Sequence, residues 1–68
     1  MFVIKFNDGR YYDGAWPIDQ IRYAYFYASA ENAKKSIENH NKRYSPKYYD
    51  YKIIRVDIKE VEEVNIDD

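Results

Sequence analysis

Residues 2–12 read FVIKFNDGRYY, and this stretch decides the fold because it specifies two neighbouring strands and the turn between them. In residues 2–6, phenylalanine and isoleucine occupy every second position, which is the pattern of a strand with one strongly apolar face. The pair Asp8-Gly9 is typical of a hairpin, since both central positions of a type I′ turn take positive φ values. We therefore expect a second antiparallel strand through residues 10–12.

Downstream of the hairpin, the sequence predicts a loop and then a third strand. Residues 15–20 contain a proline, which cannot donate to a sheet ladder, so we expect a loop there. Residues 21–28 alternate between a tyrosine row and a smaller row, which indicates a strand. We expect the tyrosine row to face outward and the smaller row to face the core, although a one-residue slip would exchange the two rows. The smaller row consists of Ala24, Phe26 and Ala28.

A helix is expected from about residue 30 to residue 42. Ser29 is a good N-cap, and Glu31 suits the positive first turn of a helix. Pro46 cannot continue the helix and biases the preceding residue away from helical geometry. The stripe that should face the sheet follows helical spacing and contains Ala30, Ala33, Ile37, Asn41 and Tyr44.

Residues 51–61 form the last predicted strand, with Ile54, Val56 and Ile58 pointing inward. The order β-β-β-α-β predicts an α+β fold, in which one helix packs on one face of an antiparallel sheet of three to four strands. We expect the other face of the sheet to carry some of the tyrosines and charges, and sheets of this type can leave that face wet. The chain should form a single domain over residues 1–61, followed by an acidic C-terminal tail at residues 62–68.

Charge is unevenly distributed along the chain, although the net charge is only −1. Residues 1–59 carry all 11 Lys and Arg residues together with seven acids, whereas residues 60–68 carry five acids and no base. The acidic tail is either a solvated, frayed terminus or a segment that folds over the basic face or engages a basic partner.

The composition weighs against several classes of function. The chain has no cysteine, so disulfides and thiolate metal sites are excluded, and a cytoplasmic location is expected. No signal peptide and no stretch of ~20 apolar residues is recognisable, so we expect no membrane partner. Two glycines cannot form a Gly-rich phosphate loop. His40 is the only histidine, and a lone helical histidine is usually a surface or boundary residue. We therefore expect neither an enzyme nor a bound metal or cofactor.

Tyrosine is the most informative residue type, because nine of the 68 residues are tyrosine and so small a domain cannot bury them all. Tyrosine and tryptophan are enriched at the centres of protein contacts. Cross-strand stabilisation is the alternative role for any single tyrosine, and a lid over the open end of the core is the role we favour for Trp16. The predicted partner-binding residues are Tyr11, Tyr12, Trp16, Tyr23, Tyr25, Tyr27, Arg43, Tyr44, Lys47, Tyr48, Tyr49 and Tyr51.

Two other kinds of partner fit parts of the sequence. Residues 34–55 combine seven Lys and Arg residues with four tyrosines, a mixture that suits single-stranded nucleic acid. The negative net charge and the acidic tail weigh against this alternative. A tyrosine-rich sheet face or edge can also pair with a second copy of the chain, which would give a homo-oligomer or a self-assembling structural protein.

The opening FVIKFNDGRYYDG at residues 2–14, the loop containing Trp16, and AYFYASAENAK at residues 24–34 resemble small proteins encoded in phages and prophages of low-GC Gram-positive bacteria. The resemblance covers the layout of about residues 1–40. It implies a protein that binds a host enzyme or defence complex and blocks it, and it assigns no functional residue. Residues 44–51 lie outside the resemblance, so we expect the specificity of this chain to lie there.

Overall fold

The computed structural model describes residues 1–57 together with Glu62 and Glu63. It contains one helix and an antiparallel sheet, so the predicted α+β fold is confirmed. The elements are β1 (Phe2–Phe6), β2 (Tyr11–Tyr12), β3 (Pro17–Ile18), α1 (Ala30–Arg43), β4 (Tyr51–Asp57) and β5 (Glu62–Glu63). The sheet order is β3-β2-β1-β4-β5, and a 3-10 turn at Ile21–Tyr23 precedes the helix.

The β1–β2 hairpin forms where the sequence predicts it, with a loop one residue longer than a type I′ turn. Phe6 and Arg10 are the last hydrogen-bonded pair, since the Phe6 amide donates to the Arg10 carbonyl at 2.7 Å. The Gly9 amide donates back to the Phe6 carbonyl at 2.9 Å, and Gly9 takes a φ of +94°. A three-residue loop of this kind needs its last residue in the left-handed region, which glycine adopts without steric cost.

The third strand of the sheet lies earlier than predicted, because β3 falls in residues 15–20, where a loop was expected. The Asp13 side chain makes the reversal: its Oδ1 accepts from the amides of Ala15 at 2.8 Å and Trp16 at 2.7 Å. The chain then returns along β2, with Tyr12 opposite Pro17. Proline is tolerated here because β3 is an edge strand.

The strand predicted at residues 21–28 was wrong. Ile21–Tyr23 is a 3-10 turn, and the rest of the segment joins the sheet only through an isolated bridge between Tyr27 and Phe2. The amides and carbonyls of this pair exchange two hydrogen bonds of 2.8 Å. The short β2 leaves this end of β1 unpaired on that side, and the bridge supplies the hydrogen bonds of Phe2 there.

The sheet buries side chains on both faces, and β4 shows this most clearly. Antiparallel pairing puts Ile53 opposite Ile4 and Ile54 opposite Val3. Ile4 and Ile53 pack towards α1 in the larger core cluster, which also contains Phe6, Tyr12, Tyr27, Ala33 and Ile37. Ile54 packs with Val3 and Val56 in a second cluster on the opposite face, so the predicted inward set of β4 does not lie under the helix. Residue 58 of that set lies outside the described residues.

The face of the sheet opposite α1 is covered around Val3 and Val56, whereas Lys52, on the same face, is exposed. The prediction of a wet face is therefore correct only in part. Ala24 is buried against Val3 and Val56, and Ile21 and Phe26 pack around them. The small side chain of Ala24 lets the backbone approach closely, which is why a segment without regular structure can cover this face. Ala24 and Phe26 point to a core, as predicted, but this core is the second cluster and not the one beneath α1. Ala28, the third residue of the predicted inward row, is exposed.

The helix begins and ends close to its predicted limits. The Ser29 Oγ accepts from the Asn32 amide at 3.1 Å, which confirms the N-cap. The buried residues are Ala33, Ile37 and His40. The middle of the predicted stripe is therefore correct, but both of its ends, Ala30 and Tyr44, are exposed, and Asn41 is half-buried.

The C-terminal predictions are only partly within the described residues. Glu62–Glu63 pairs with the end of β4, with Glu63 opposite Val56. Residues 58–61 of the predicted last strand and residues 64–68 of the predicted acidic tail lie outside the described residues.

Val56→Ala tests whether the second face is a true core. Val56 is buried, so removing two methyl groups should lower the free energy of unfolding by about 1.5–3 kcal/mol. Urea unfolding followed by circular dichroism measures this change. Arg55→Ala, at the exposed neighbouring position, should change stability by no more than about 0.5 kcal/mol. Equal stability of the two variants would show that this face is open to water.

Candidate partner-binding surface

His40 holds the loop that follows the helix, although the sequence suggested a surface or boundary position for it. The residue is buried, and its Nε2 lies 3.0 Å from the Pro46 carbonyl oxygen. A carbonyl oxygen can only accept, so Nε2 carries a proton. In the neutral ring Nδ1 is then an acceptor, and it receives the Tyr12 hydroxyl at 3.1 Å. One imidazole thus joins β2, α1 and the loop at residues 44–50.

Asn41 makes a second attachment between the helix and the same loop. Its Nδ2 donates to the Tyr48 carbonyl at 2.7 Å, and its Oδ1 accepts from the Tyr48 amide at 2.7 Å. The amide side chain therefore satisfies both backbone groups of Tyr48, much as a neighbouring strand would. The Lys47 Nζ donates to the Asn41 carbonyl, one of the last carbonyls of the helix, which have no partner within the helix itself.

Three aromatic rings contact the His40 imidazole, and Phe6 packs against two of them. The Tyr48 ring lies centrally, with its centroid 4.9 Å from that of His40 and 5.1 Å from that of Phe6. Tyr12 meets His40 edge-on at 5.7 Å, and Tyr44 lies 5.6 Å from His40 on the outer side. These tilted and edge-on contacts are the favoured arrangements of aromatic pairs. Tyr48 is therefore the ring that anchors the loop to the core.

Three tyrosine hydroxyl groups have a raised pKa because the fold removes them from water. Burial raises the pKa of Tyr12 to about 12. Burial also raises the pKa of Tyr27, an effect that its 2.7 Å hydrogen bond with the Ser36 hydroxyl partly opposes. Burial likewise raises the pKa of Tyr51. All three hydroxyl groups are thus kept protonated.

The structure separates the predicted contact residues into three classes. Tyr12 and Tyr27 are 1% and 7% exposed, so the prediction that they face a partner was wrong, and the outward tyrosine row ends at Tyr25. Three others are only partly accessible because they pack against the two cores, and these are Tyr11, Tyr48 and Tyr51. The Lys5 ammonium also lies 5.5 Å from the Tyr11 ring centroid.

The remaining predicted residues are at the surface. Trp16 is 60% exposed, so it does not close the core as we had favoured. Tyr23 and Tyr25 are 69% and 54% exposed, and Tyr44 and Tyr49 are 60% and 71% exposed. Arg43 and Lys47 are also exposed. We define the turn-side rings as Trp16, Tyr23 and Tyr25, and the helix-end patch as Lys42, Arg43, Tyr44, Lys47 and Tyr49.

Two open grooves adjoin these residues. One, of about 430 Å³, lies between the hairpin turn and the loop, and Lys47 and Tyr49 line it. Arg10, in the same groove, is held by Asp8 at 2.8 Å, and that hydrogen-bonded pair keeps the pKa of Asp8 below its usual value. The other groove, of about 710 Å³, lies between α1 and residues 25–28, where the rings of Tyr25 and Tyr27 contact each other.

The role of His40 and Asn41 as supports of the loop was not predicted from the sequence. The available signal was the position of His40, three residues after the buried Ile37 on the sheet-facing side of the helix. Asn41 did fall on the predicted stripe, but its bidentate contact with Tyr48 depends on a loop whose path the sequence does not reveal.

Within residues 1–57 and 62–63, no group of three or more His, Asp or Glu side chains is placed to hold a metal ion. None of the helical segments in this part of the chain is both long and apolar enough to cross a membrane. No protein-family model, curated protein or solved structure matches the chain.

Asn41→Ala tests the attachment of the loop. The substitution removes two hydrogen bonds to Tyr48, so we expect the free energy of unfolding to fall by about 2 kcal/mol. Amide hydrogen exchange should also accelerate at Tyr48. Asn39→Ala, at an exposed position on the same helix, is the matched control and should leave both measurements near the wild-type values. Slow exchange at Tyr48 in the Asn41 variant would contradict the attachment.

Tyr12→Phe tests the burial of the phenol through alkaline pH. Because the folded-state pKa of Tyr12 is about 12 and the ordinary value is 10.0, its contribution is complete below pH 10 and is lost as the pH rises towards 12. The loss should be of the order of 2 kcal/mol, measured by urea unfolding at successive pH values. The Phe variant should lose less over this interval, whereas Tyr49→Phe, with its exposed ring, should follow the wild type. Identical slopes for all three proteins would contradict the assignment.

Proposed function

We propose that this protein is a small, non-enzymatic protein-binding module that covers a surface of another protein in the cytoplasm. One observation carries the proposal: five large aromatic rings of the described residues are more than half exposed. Burying such rings against a partner removes apolar area from water, and aromatic side chains dominate the energetics of protein contacts. The five rings are the turn-side rings, Tyr44 and Tyr49.

The backbone around these rings is held in place, which favours binding. Trp16 lies in the turn fastened by Asp13, and the Tyr25 amide donates to the Tyr12 carbonyl at 3.0 Å. The Tyr44 amide donates to the His40 carbonyl at 2.8 Å. A ring on a fixed backbone loses little conformational entropy when it is buried, so more of the contact energy becomes affinity.

The role we propose is inhibition of a host enzyme or defence complex, which is the role that the resemblance to small phage proteins implies. Covering a protein surface requires a complementary shape and apolar contact. It does not require a reacting group. The exposed rings lie on loops and at the end of the helix, where residues can change without disturbing either core.

A single-stranded nucleic-acid binder is the second candidate, because one observation favours it. The helix-end patch combines three exposed cations with two exposed rings, which is the mixture that tracks phosphates and stacks on bases. Titration of a labelled oligonucleotide with salt separates the candidates: steeply salt-dependent binding would support this one, and no binding at low salt would remove it.

Replacing two of the three turn-side rings by serine tests the proposed function. We expect the double variant Trp16→Ser, Tyr23→Ser to bind its partner at least about tenfold more weakly, with an unchanged circular dichroism spectrum. The partner is first captured from an extract of a low-GC Gram-positive bacterium, and its affinity is then measured with purified proteins. Tyr27 is left intact because its burial makes it part of the fold.

The double variant Lys34→Ser, Asn39→Ser is the matched control, because it changes two exposed positions that carry no ring. It should bind as the wild type does. Equal affinity of the ring variant and the wild type would contradict the proposal, and so would a wild-type protein that enriches nothing over an unrelated domain of the same size. Light scattering across concentration detects self-association, which would assign the exposed rings to a second copy.

A further inference from the structure

The C-terminal end of α1 presents a concentration of positive charge that no ion pair among the described residues neutralises. Lys42, Arg43 and Lys47 are all exposed and lie within six consecutive residues. Among the described residues the ion pairs join Asp8 to Arg10 and Glu31 to Lys35, and neither includes these three cations. Their ionic attraction is therefore available to another molecule.

The helix dipole accounts for only part of this arrangement. Cations near a helix C-terminus interact favourably with the helix dipole, and Lys47 also donates directly to the Asn41 carbonyl. The dipole gives no reason for two exposed phenol rings in the same stretch. Tyr44 directly follows Arg43, and Tyr49 lines the same groove as Lys47. Both rings are exposed, so apolar area and cations occur together, as they do at protein contacts.

The patch is also preorganised. His40 holds the Pro46 carbonyl, and Asn41 holds both backbone groups of Tyr48, so the loop between Tyr44 and Tyr49 is fastened at two points. A partner that binds here orders side chains rather than backbone, which lowers the entropic cost of binding.

We infer that the helix-end patch docks an acidic segment of a protein partner. The inference rests on the proposed protein-binding function and adds the chemistry of the partner: carboxylates for Lys42, Arg43 and Lys47, and apolar groups for Tyr44 and Tyr49. Arg43 is the preferred anchor, because a guanidinium can bind a carboxylate through two parallel hydrogen bonds.

A short acidic segment fits this surface better than a nucleic-acid strand does. Beyond Lys47 the neighbouring groove is lined by Asp8 and Asp50, and its Arg10 is already bonded to Asp8. A strand that continues along the groove would bring phosphates to these carboxylates, whereas a segment of a few residues can stop at the patch. The net charge of −1 also provides no long-range attraction for a polyanion.

Fluorescence anisotropy with three probes of similar length tests the inference. The probes are a short labelled peptide of alternating glutamate and alanine, the same peptide with glutamine in place of glutamate, and a labelled oligothymidylate. We expect the glutamate peptide to bind, the affinity to fall with added salt, and the glutamine peptide to bind at least about tenfold more weakly.

The variant Lys42→Gln, Arg43→Gln should lose at least about tenfold in affinity for the glutamate peptide. Neither side chain contacts the rest of the fold through a hydrogen bond or ion pair within the described residues, so circular dichroism should show an intact helix. Arg22→Gln, Lys34→Gln makes the same change in charge at exposed positions elsewhere and should keep the wild-type affinity.

Three results would overturn the inference: equal binding or no binding of the two peptides, an equal loss in the Arg22, Lys34 control, or tighter binding of the oligothymidylate than of the glutamate peptide. The proposed function is tested separately by the turn-side rings and the captured partner. If that partner still depends on Trp16 and Tyr23 while the glutamate peptide fails to bind, only the acidic chemistry is wrong.

Discussion

The hydrogen bond between the Tyr12 hydroxyl and the His40 imidazole connects three parts of the chain that are distant in sequence. Tyr12 belongs to the hairpin, His40 to the helix, and the other nitrogen of the same ring holds the loop through Pro46. A polar contact in an apolar surrounding is stable only when every member is satisfied, and each ring nitrogen has one partner. Loss of either bond would leave a buried polar atom unpaired, so the loop and the core depend on each other.

This network divides the aromatic residues into an inner and an outer set. The inner rings of Tyr12 and Tyr48 pack with the imidazole, and Phe6 packs against both of these rings. Tyr44 and Tyr49, which follow the helix, are 60% and 71% exposed. The face of the sheet opposite α1 divides its residues in the same way. There a segment without regular structure buries Ala24 and leaves Tyr23 and Tyr25 exposed. The exposed rings are thus carried by segments that are fastened from within.

Local signals predicted the parts of the fold that local interactions determine: the hairpin, the helix and its Ser29 cap. The third strand could not be predicted from alternation, because its position depends on the Asp13 side chain that reverses the chain before Pro17. The core cluster on the opposite face was not predicted for a related reason. Residues 21–26 alternate like a strand, but they pack against that face of the sheet. For the site, composition showed that some rings must be exposed, but only long-range contacts separate Tyr12 and Tyr27 from Tyr23 and Tyr25.

The most direct test of this account is the tautomer of His40, read from the nitrogen chemical shifts of the ¹⁵N-labelled imidazole at neutral pH. For the neutral ring we expect a single tautomer with the proton on Nε2, a bare Nδ1 that accepts a hydrogen bond, and a Tyr12 hydroxyl proton that exchanges slowly with water. A proton on Nδ1, or averaged shifts of a ring that samples both tautomers, would contradict the central connection between hairpin, helix and loop.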